Sequence, residues 1–287
     1  MSANATAPST ATDKRPRRVW LAVVVIAVYL LLAAGLGNVM DLFVSEDENP
    51  LGEFALSHYV PLGIAIVLLL LFLRWTGWGK DVWQERPTPT LTPRRWWLIA
   101  IPVLAFLLPI SQFGDVPWAQ RSIGFILVVA LGTLMVGLGE ELVFRGILLT
   151  TLRARHGELV TMLVTSFGFA AAHIPSSILS GVPLVGILFE VGGLATVGAT
   201  YYWVRRVTGR LWVGVILHAL TDWVLYLSAE VGLPSASIPT DHTSAADPLT
   251  GTVQIILLVL GAFGIISLIR EDRRTRRNRA SLTSPSA

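Results

Sequence analysis

The chain has 287 residues, of which 53% are hydrophobic and only 14% are charged. Soluble domains carry about 25% charged residues, so this composition excludes a soluble enzyme, a nucleic-acid-binding domain and a disordered chain. The sequence contains no cysteine, which excludes a thiol nucleophile, a disulfide framework and a cysteine-based zinc site.

Apolar runs long enough to cross a lipid bilayer follow one another along the chain, since a transmembrane helix needs about 20 apolar residues. We predict an all-α, polytopic bundle of transmembrane helices with about eight spans. The runs are Val19–Met40, Phe54–Leu73, Trp96–Gly114, Ser122–Gly139, Leu159–Phe189 with Pro175 and Pro183 inside it, Gly181–Val204, Leu211–Leu227 and Leu249–Ile269.

Basic residues indicate how these spans are oriented. Of the 22 Lys and Arg residues, all but Arg121 and Arg145 lie in the two terminal segments or in the loops after spans two, four and six. With eight spans, all these segments are on the same side of the membrane. The positive-inside rule assigns that side, with both termini, to the cytoplasm. Because Arg far exceeds Lys, as in GC-rich bacterial proteins, the predicted location is a bacterial cytoplasmic membrane. Residues 1–18 and 271–287 are predicted to be disordered, and residues 19–270 form the transmembrane domain.

Few ionisable residues fall inside the predicted spans, and one of them, His58, is near a span end and is expected at the membrane interface. A charge at membrane depth costs a few kcal/mol, so each of the others suggests a function. They are Glu140, Glu141, Arg145, His173, Glu190, His218 and Asp222. Glu190 has no partner nearby in sequence, and we expect it to pair with a polar residue of another helix.

Glu141 and Arg145 are four residues apart, so a helix places them on one face in the favourable order for an ion pair. Glu140 is turned about 100° away, since an α-helix has about 3.6 residues per turn. Arg145 can therefore neutralise Glu141 and leave Glu140 for another role. A purely structural charge cluster remains the alternative interpretation.

The same spacing recurs twice further along the chain. Phe169 and His173 share a helix face, with three alanines between them that allow a close helix approach. His218 and Asp222 also share a face, where the carboxylate can orient the imidazole or join it as a metal ligand. Each motif alone is also compatible with a packing or hydrogen-bonding role.

Taken together, two imidazoles and three carboxylates on three helices suit the activation of water. A carboxylate can take a proton from water, and an imidazole can stabilise an oxyanion or bind a metal such as zinc. Other intramembrane protease chemistries lack their residues here. The sequence has no His-Glu-x-x-His, no second Asp within a span, no Lys at membrane depth and no Gly-x-Ser-x-Gly.

The three motifs, in this order, resemble those of the CPBP intramembrane proteases. That family includes the type II CAAX prenyl endopeptidases and bacterial proteins linked to bacteriocin self-immunity. Thr208-Gly209-Arg210-Leu211-Trp212, before the third motif, is also similar to the family pattern. The resemblance covers about residues 122–227, which would form the protease core.

The resemblance implies a role for each motif residue. Glu140 would be the base, with Glu141 and Arg145 shaping and supporting it. His173 would position the water or bind a metal, and His218 with Asp222 would stabilise the oxyanion or complete a metal site. The last position is often Asn in the family. An ionised Asp cannot donate a hydrogen bond to an oxyanion, so Asp222 favours orienting His218 or binding a metal.

The sequence therefore predicts a membrane endopeptidase that acts within the bilayer. Its substrate would be a membrane-associated peptide or protein, either lipidated or unmodified. A non-catalytic immunity or scaffold protein and a proton-coupled transporter are the alternatives, although no internal repeat supports the transporter. If the enzyme interpretation holds, the polar atoms of Glu140, His173 and His218 should lie within about 8 Å, so that one water reaches them all. Residues 175–183 are predicted to form an irregular turn.

Overall fold

A computed structural model describes residues 15–40, 43, 49–229 and 248–283. Their regular structure is helical apart from one isolated bridge between Gln84 and Arg210, and eight segments are long and apolar enough to cross a membrane. These spans are α1 (Val19–Met40), α2 (Leu51–Thr76), α3 (Trp96–Asp115), α4 (Ile123–Arg153), α5 (Glu158–Leu179), α6 (Leu184–Thr208), α7 (Leu211–Ser228) and α8 (Pro248–Asn278). The predicted all-α, multi-pass membrane bundle is confirmed.

Two spans contain a stretch of wider π-helix. In α1 it covers Leu31–Leu36, and in α4 it covers Leu142–Leu148, between α-helices at Ile123–Glu141 and Leu149–Arg153. Such stretches are frequent at functional sites, because the extra residue per turn changes which side chains share a face. In α4 the change begins directly after the two adjacent glutamates.

Two other spans are assembled from shorter helices. The α3 span consists of Trp96–Ile99, Ala100–Ser111 and Gln112–Asp115, and the first and last pieces are 3₁₀-helical. The α5 span consists of Glu158–Ala171 and Ile174–Leu179. Shorter helices outside the spans are Gly79–Trp83, Thr88–Thr90 and Trp118–Gln120.

Two expectations about irregular segments were wrong in part. Pro175 lies in the first turn of Ile174–Leu179, where its missing N–H is not needed, so only Ser180–Pro183 of the predicted turn is non-helical. The helix of α8 continues to Thr283, so residues 271–283 are helical and not a disordered tail. Residues 1–14 and 284–287, also predicted to be disordered, lie outside the described residues.

Ion pairs join the segments at one end of the bundle, the end predicted to be cytoplasmic. Glu271 near the end of α8 accepts from Arg95 at 2.7 Å and from Arg206 at 3.0 Å. Asp272 accepts the backbone N–H groups of Glu158 and Leu159 at 2.8 and 3.1 Å, which caps the start of α5. Further pairs are Arg17–Asp81, Arg153–Glu85, Arg153–Glu158 and Arg206–Glu158. The basic segments therefore lie together, as alternating helix directions require.

The α4 span lies at the centre of the bundle, packed against α2 and α7, while α6 packs against α5. Glycines allow these close approaches. A Cβ atom at Gly137 of α4 would lie 2.9 Å from the carbonyl oxygen of Val215 in α7. A Cβ atom at Gly198 of α6 would lie 3.0 Å from the Cα atom of Ser166 in α5. Small residues thus bring the motif-bearing backbones together, as is common between membrane helices.

Candidate active site

The first motif forms a buried ion pair within α4. Arg145 Nη1 lies 2.9 Å from Glu141 Oε1, and both side chains are 0% exposed. Arg145 Nη2 also donates to the carbonyl oxygen of Gly198 at 3.1 Å, and its guanidinium lies 4.3 Å from the ring centroid of Phe169. A charged pair at this depth is stabilised by such additional partners. Arg145 therefore links α4 to α5 and α6.

The imidazole of His218 in α7 lies among three carboxylates. Its Nδ1 is 3.5 Å from Glu141 Oε1, and its Nε2 is 3.4 Å from Asp222 Oδ2 and 3.9 Å from Glu140 Oε2. The ring stacks on Tyr201 of α6 with centroids 4.9 Å apart. The first and third motifs, far apart in sequence, thus form one polar cluster.

The two adjacent glutamates have different environments. The side chain of Glu141 is 0% exposed, whereas that of Glu140 is 18% and that of Asp222 is 23% exposed. Glu140 Oε2, Glu141 Oε2 and His218 Nδ1 are buried and have no hydrogen-bond partner among the described residues. Buried polar atoms are normally satisfied, so this cluster can bind water or the polar backbone of a substrate.

His173, the histidine of the second motif, directly precedes the short helix Ile174–Leu179 at its N-cap position, without a side-chain capping bond. Its Nδ1 lies 3.0 Å from the carbonyl oxygen of Phe169, and its ring lies 5.0 Å from that of Phe169. Phe169 in turn lies 5.9 Å from the ring of His218, so both imidazoles contact this one aromatic ring. The second motif therefore borders the cluster from the α5 side.

Glu190, the remaining intramembrane acid, belongs to a separate contact. Its Oε2 accepts a hydrogen bond of 2.7 Å from Ser177 Oγ, which joins α6 to α5. The expectation that Glu190 pairs with a polar residue of another helix is confirmed.

Two residues beside the cluster lie outside the three sequence motifs. Tyr201 stacks on His218 from α6, and Tyr29 of α1 packs against Gly139, the residue before Glu140. The only sequence signal for Tyr29 was a hydroxyl group in the mostly apolar run Val19–Met40. Its proximity to the cluster depends on tertiary packing.

The predicted metal ligands were His173, His218 and Asp222. Among the described residues, no three His, Asp or Glu side chains are arranged so that they could hold a metal ion. His173 Nδ1 is directed at a backbone carbonyl, and its ring and that of His218 both pack against Phe169. The donor set as arranged does not fit a metal ion.

The segment that carries these residues is similar to a known protein family. Residues 122–224 match the family model described as "Type II CAAX prenyl endopeptidase Rce1-like". This segment is therefore similar to the type II CAAX prenyl endopeptidases. It runs from α4 into α7 and contains all six predicted site residues, and the family predicted from the motifs is confirmed. Searches of curated proteins and of solved structures gave no significant match. The family indicates a membrane-embedded peptide hydrolase.

Proposed function

We propose that this protein is an intramembrane endopeptidase that hydrolyses a peptide bond by Glu/His activation of water. The observation that supports this most directly is the position of His218 Nε2, 3.9 Å from Glu140 Oε2 and 3.4 Å from Asp222 Oδ2. A hydrogen bond to water spans about 2.8 Å, so one water can contact two groups at these separations.

Glu140 is the better base of the two glutamates. Glu141 Oε1 is paired with Arg145 Nη1 at 2.9 Å, so that carboxylate is engaged in a structural ion pair. Glu140 has no such cation within its own motif, and its side chain is partly exposed. A general base must reach both water and substrate, and Glu140 meets this requirement.

The remaining groups orient the reaction. Glu141 Oε1 faces Nδ1 of His218, and Asp222 faces Nε2, so the ring is held between two carboxylates. Tyr201 stacks on the ring and fixes its plane. Nε2 can then donate a hydrogen bond to the attacking water or to the substrate carbonyl oxygen. His173 borders this space and helps to position the water.

The substrate is a membrane-associated peptide or protein, since the cluster is surrounded by apolar spans. We propose a bacterial cytoplasmic membrane as its location, with the site reached from within the bilayer. Lipidated proteins are the first class to test, because the family is named for prenyl endopeptidases. Cleavage of an unmodified membrane segment uses the same chemistry.

The decisive experiment does not require a known substrate. Wild-type protein and the Glu140→Gln variant are expressed in one bacterial host, and new chain termini in the membrane fraction are identified by mass spectrometry. We expect cleavage products with the wild type that are absent with Glu140→Gln. Glu190→Gln is the matched control, because Glu190 is also an intramembrane acid but bonds to Ser177 and is not one of the three carboxylates around His218.

Identical products from wild type and Glu140→Gln would contradict the proposed function. An immunity phenotype that survives Glu140→Gln would instead support a non-catalytic scaffold. Proton flux in liposomes that depends on Glu140 would support the transporter.

A further inference from the structure

The α1 span contributes a buried tyrosine beside the catalytic cluster that lies outside the matched family segment. Tyr29 is 2% exposed, and its hydroxyl has no hydrogen-bond partner among the described residues. A buried, unsatisfied hydroxyl is costly, so its retention suggests that it donates to a group that binds there.

Packing places this hydroxyl against Gly139, the residue before the proposed base. A Cβ atom at Gly139 would lie 2.7 Å from the Tyr29 hydroxyl oxygen and 2.7 Å from its Cε2 atom. Gly139 directly precedes Glu140, so the hydroxyl lies beside the backbone that carries the proposed base. Gly139 is thus required for the close approach of α1 to α4.

Hydrolysis needs hydrogen-bond donors that the rest of the cluster supplies poorly. Glu140, Glu141 and Asp222 accept hydrogen bonds when ionised, and the guanidinium of Arg145 is committed to Glu141 and Gly198. Of the three carboxylates, Arg145 and His218, only His218 then remains free to donate a hydrogen bond. A tetrahedral oxyanion is commonly stabilised by two donors.

We propose that the Tyr29 hydroxyl donates a hydrogen bond to the substrate carbonyl oxygen as negative charge develops on it. This inference rests on the proposed endopeptidase function. Tyr29 also lines an apolar groove between α1 and α2, with a volume of about 220 Å³. The hydroxyl-bearing ring therefore lies between this groove and the polar cluster.

The proposed step balances without any further reactant. Glu140 takes a proton from water, the water oxygen bonds to the carbonyl carbon, and the carbonyl π electrons move to its oxygen. Tyr29 donates a hydrogen bond to that oxygen and keeps its own proton. When the carbonyl re-forms, the C–N bond breaks and the amine leaves with the proton from Glu140.

The test replaces the hydroxyl and retains the ring, because Tyr29→Phe preserves the contact with Gly139. The probe is an internally quenched peptide that spans the cleavage site identified for the wild type, with each variant reconstituted in liposomes. We expect kcat to fall on the order of 100-fold with KM unchanged, as for the loss of one oxyanion donor. Tyr59→Phe is the matched control, because the Tyr59 hydroxyl bonds to the carbonyl oxygen of Val128 away from the cluster. It should retain the wild-type kcat.

A peptide aldehyde of the same sequence gives a second readout, since its hydrated form resembles the tetrahedral intermediate. It should bind Tyr29→Phe more weakly by about the factor lost in kcat. The role of Tyr29 would be overturned if Tyr29→Phe kept the wild-type kcat or if Tyr59→Phe lost as much kcat as Tyr29→Phe. It would also be overturned if Tyr29→Phe raised KM and left kcat unchanged. Absence of any cleavage by the wild type would overturn the proposed function itself, and the inference with it.

Discussion

At the scale of single residues, Glu140 and Glu141 are neighbours in sequence but have different surroundings. Glu141 is fully buried and paired with Arg145. Glu140 is partly exposed and faces His218. The helical turn of about 100° per residue separates the two carboxylates, so one sequence motif supplies both a structural ion pair and a reactive group.

This division predicts that Glu141→Gln destabilises the protein and Glu140→Gln does not. Removing one partner of a buried ion pair leaves an uncompensated charge, which costs about 3–5 kcal/mol. Thermal unfolding in detergent micelles would measure the difference. Replacing both partners, as Glu141→Gln with Arg145→Gln, should recover part of the lost stability. Equal stability of Glu141→Gln and Glu140→Gln would contradict the structural role of Glu141.

A second residue-level prediction concerns metal. The Glu/His mechanism predicts that cleavage continues in protein shown to be metal-free by elemental analysis. The alternative, in which His173, His218 and Asp222 bind zinc, predicts about one equivalent of metal in washed protein. Activity that is lost on chelation and restored only by added zinc would favour that alternative and would require His173 to move.

At the scale of helices, the site depends on the close contact of α4 with α7. A Cβ atom at Gly137 would lie 2.9 Å from Val215 O, 3.1 Å from Ala219 N and 3.3 Å from His218 Cβ. Two of these neighbours are backbone atoms, which cannot move unless the helix shifts. The approach therefore determines the distance between Glu140 and His218.

We predict that Gly137→Ala separates these helices, lowers the unfolding temperature and reduces cleavage. Gly192→Ala in α6 is the matched control, because a Cβ atom there meets nothing within 4 Å. Alanine has a helix propensity about 1 kcal/mol better than glycine, so the control should be neutral or stabilising. If both variants behave alike, close packing at Gly137 is not required.

At the scale of the whole molecule, ion pairs hold the basic segments together at one end of the bundle. Arg206 contacts both Glu158 and Glu271, and so joins α6 to α5 and α8. The positive-inside rule makes this end cytoplasmic. The orientation of the termini follows from that rule and remains a prediction.

Labelling of single cysteines in intact cells would test the orientation without background, since the chain contains no cysteine. We predict that Pro16→Cys and Ser281→Cys are protected from a membrane-impermeant maleimide. Gln120→Cys and Ser180→Cys, at the other end of the bundle, should react. All four positions are exposed in the structure. The opposite pattern would invert the topology and place the ion-pair network outside the cytoplasm.

The sequence by itself determined the membrane class, the eight spans, the family and the pairing of Glu141 with Arg145. Each follows from local rules, because a span needs a continuous apolar run and residues four apart share a helix face. The sequence did not predict the continuation of α8 to Thr283, because a highly charged segment is typical of disorder. Only the structure shows that Glu271 and Asp272 bind other segments.

Tertiary structure alone decided which side chains meet between helices. Sequence spacing placed His218 beside Asp222 but could not show that it also lies near Glu140 and Glu141, or that both imidazoles pack against Phe169. It also gave no motif for Tyr29, whose contact depends on a missing side chain at Gly139. Contacts within a helix repeat with its period and can be read from the chain, whereas contacts between helices depend on which backbones approach closely, and here glycines in separate helices determine that.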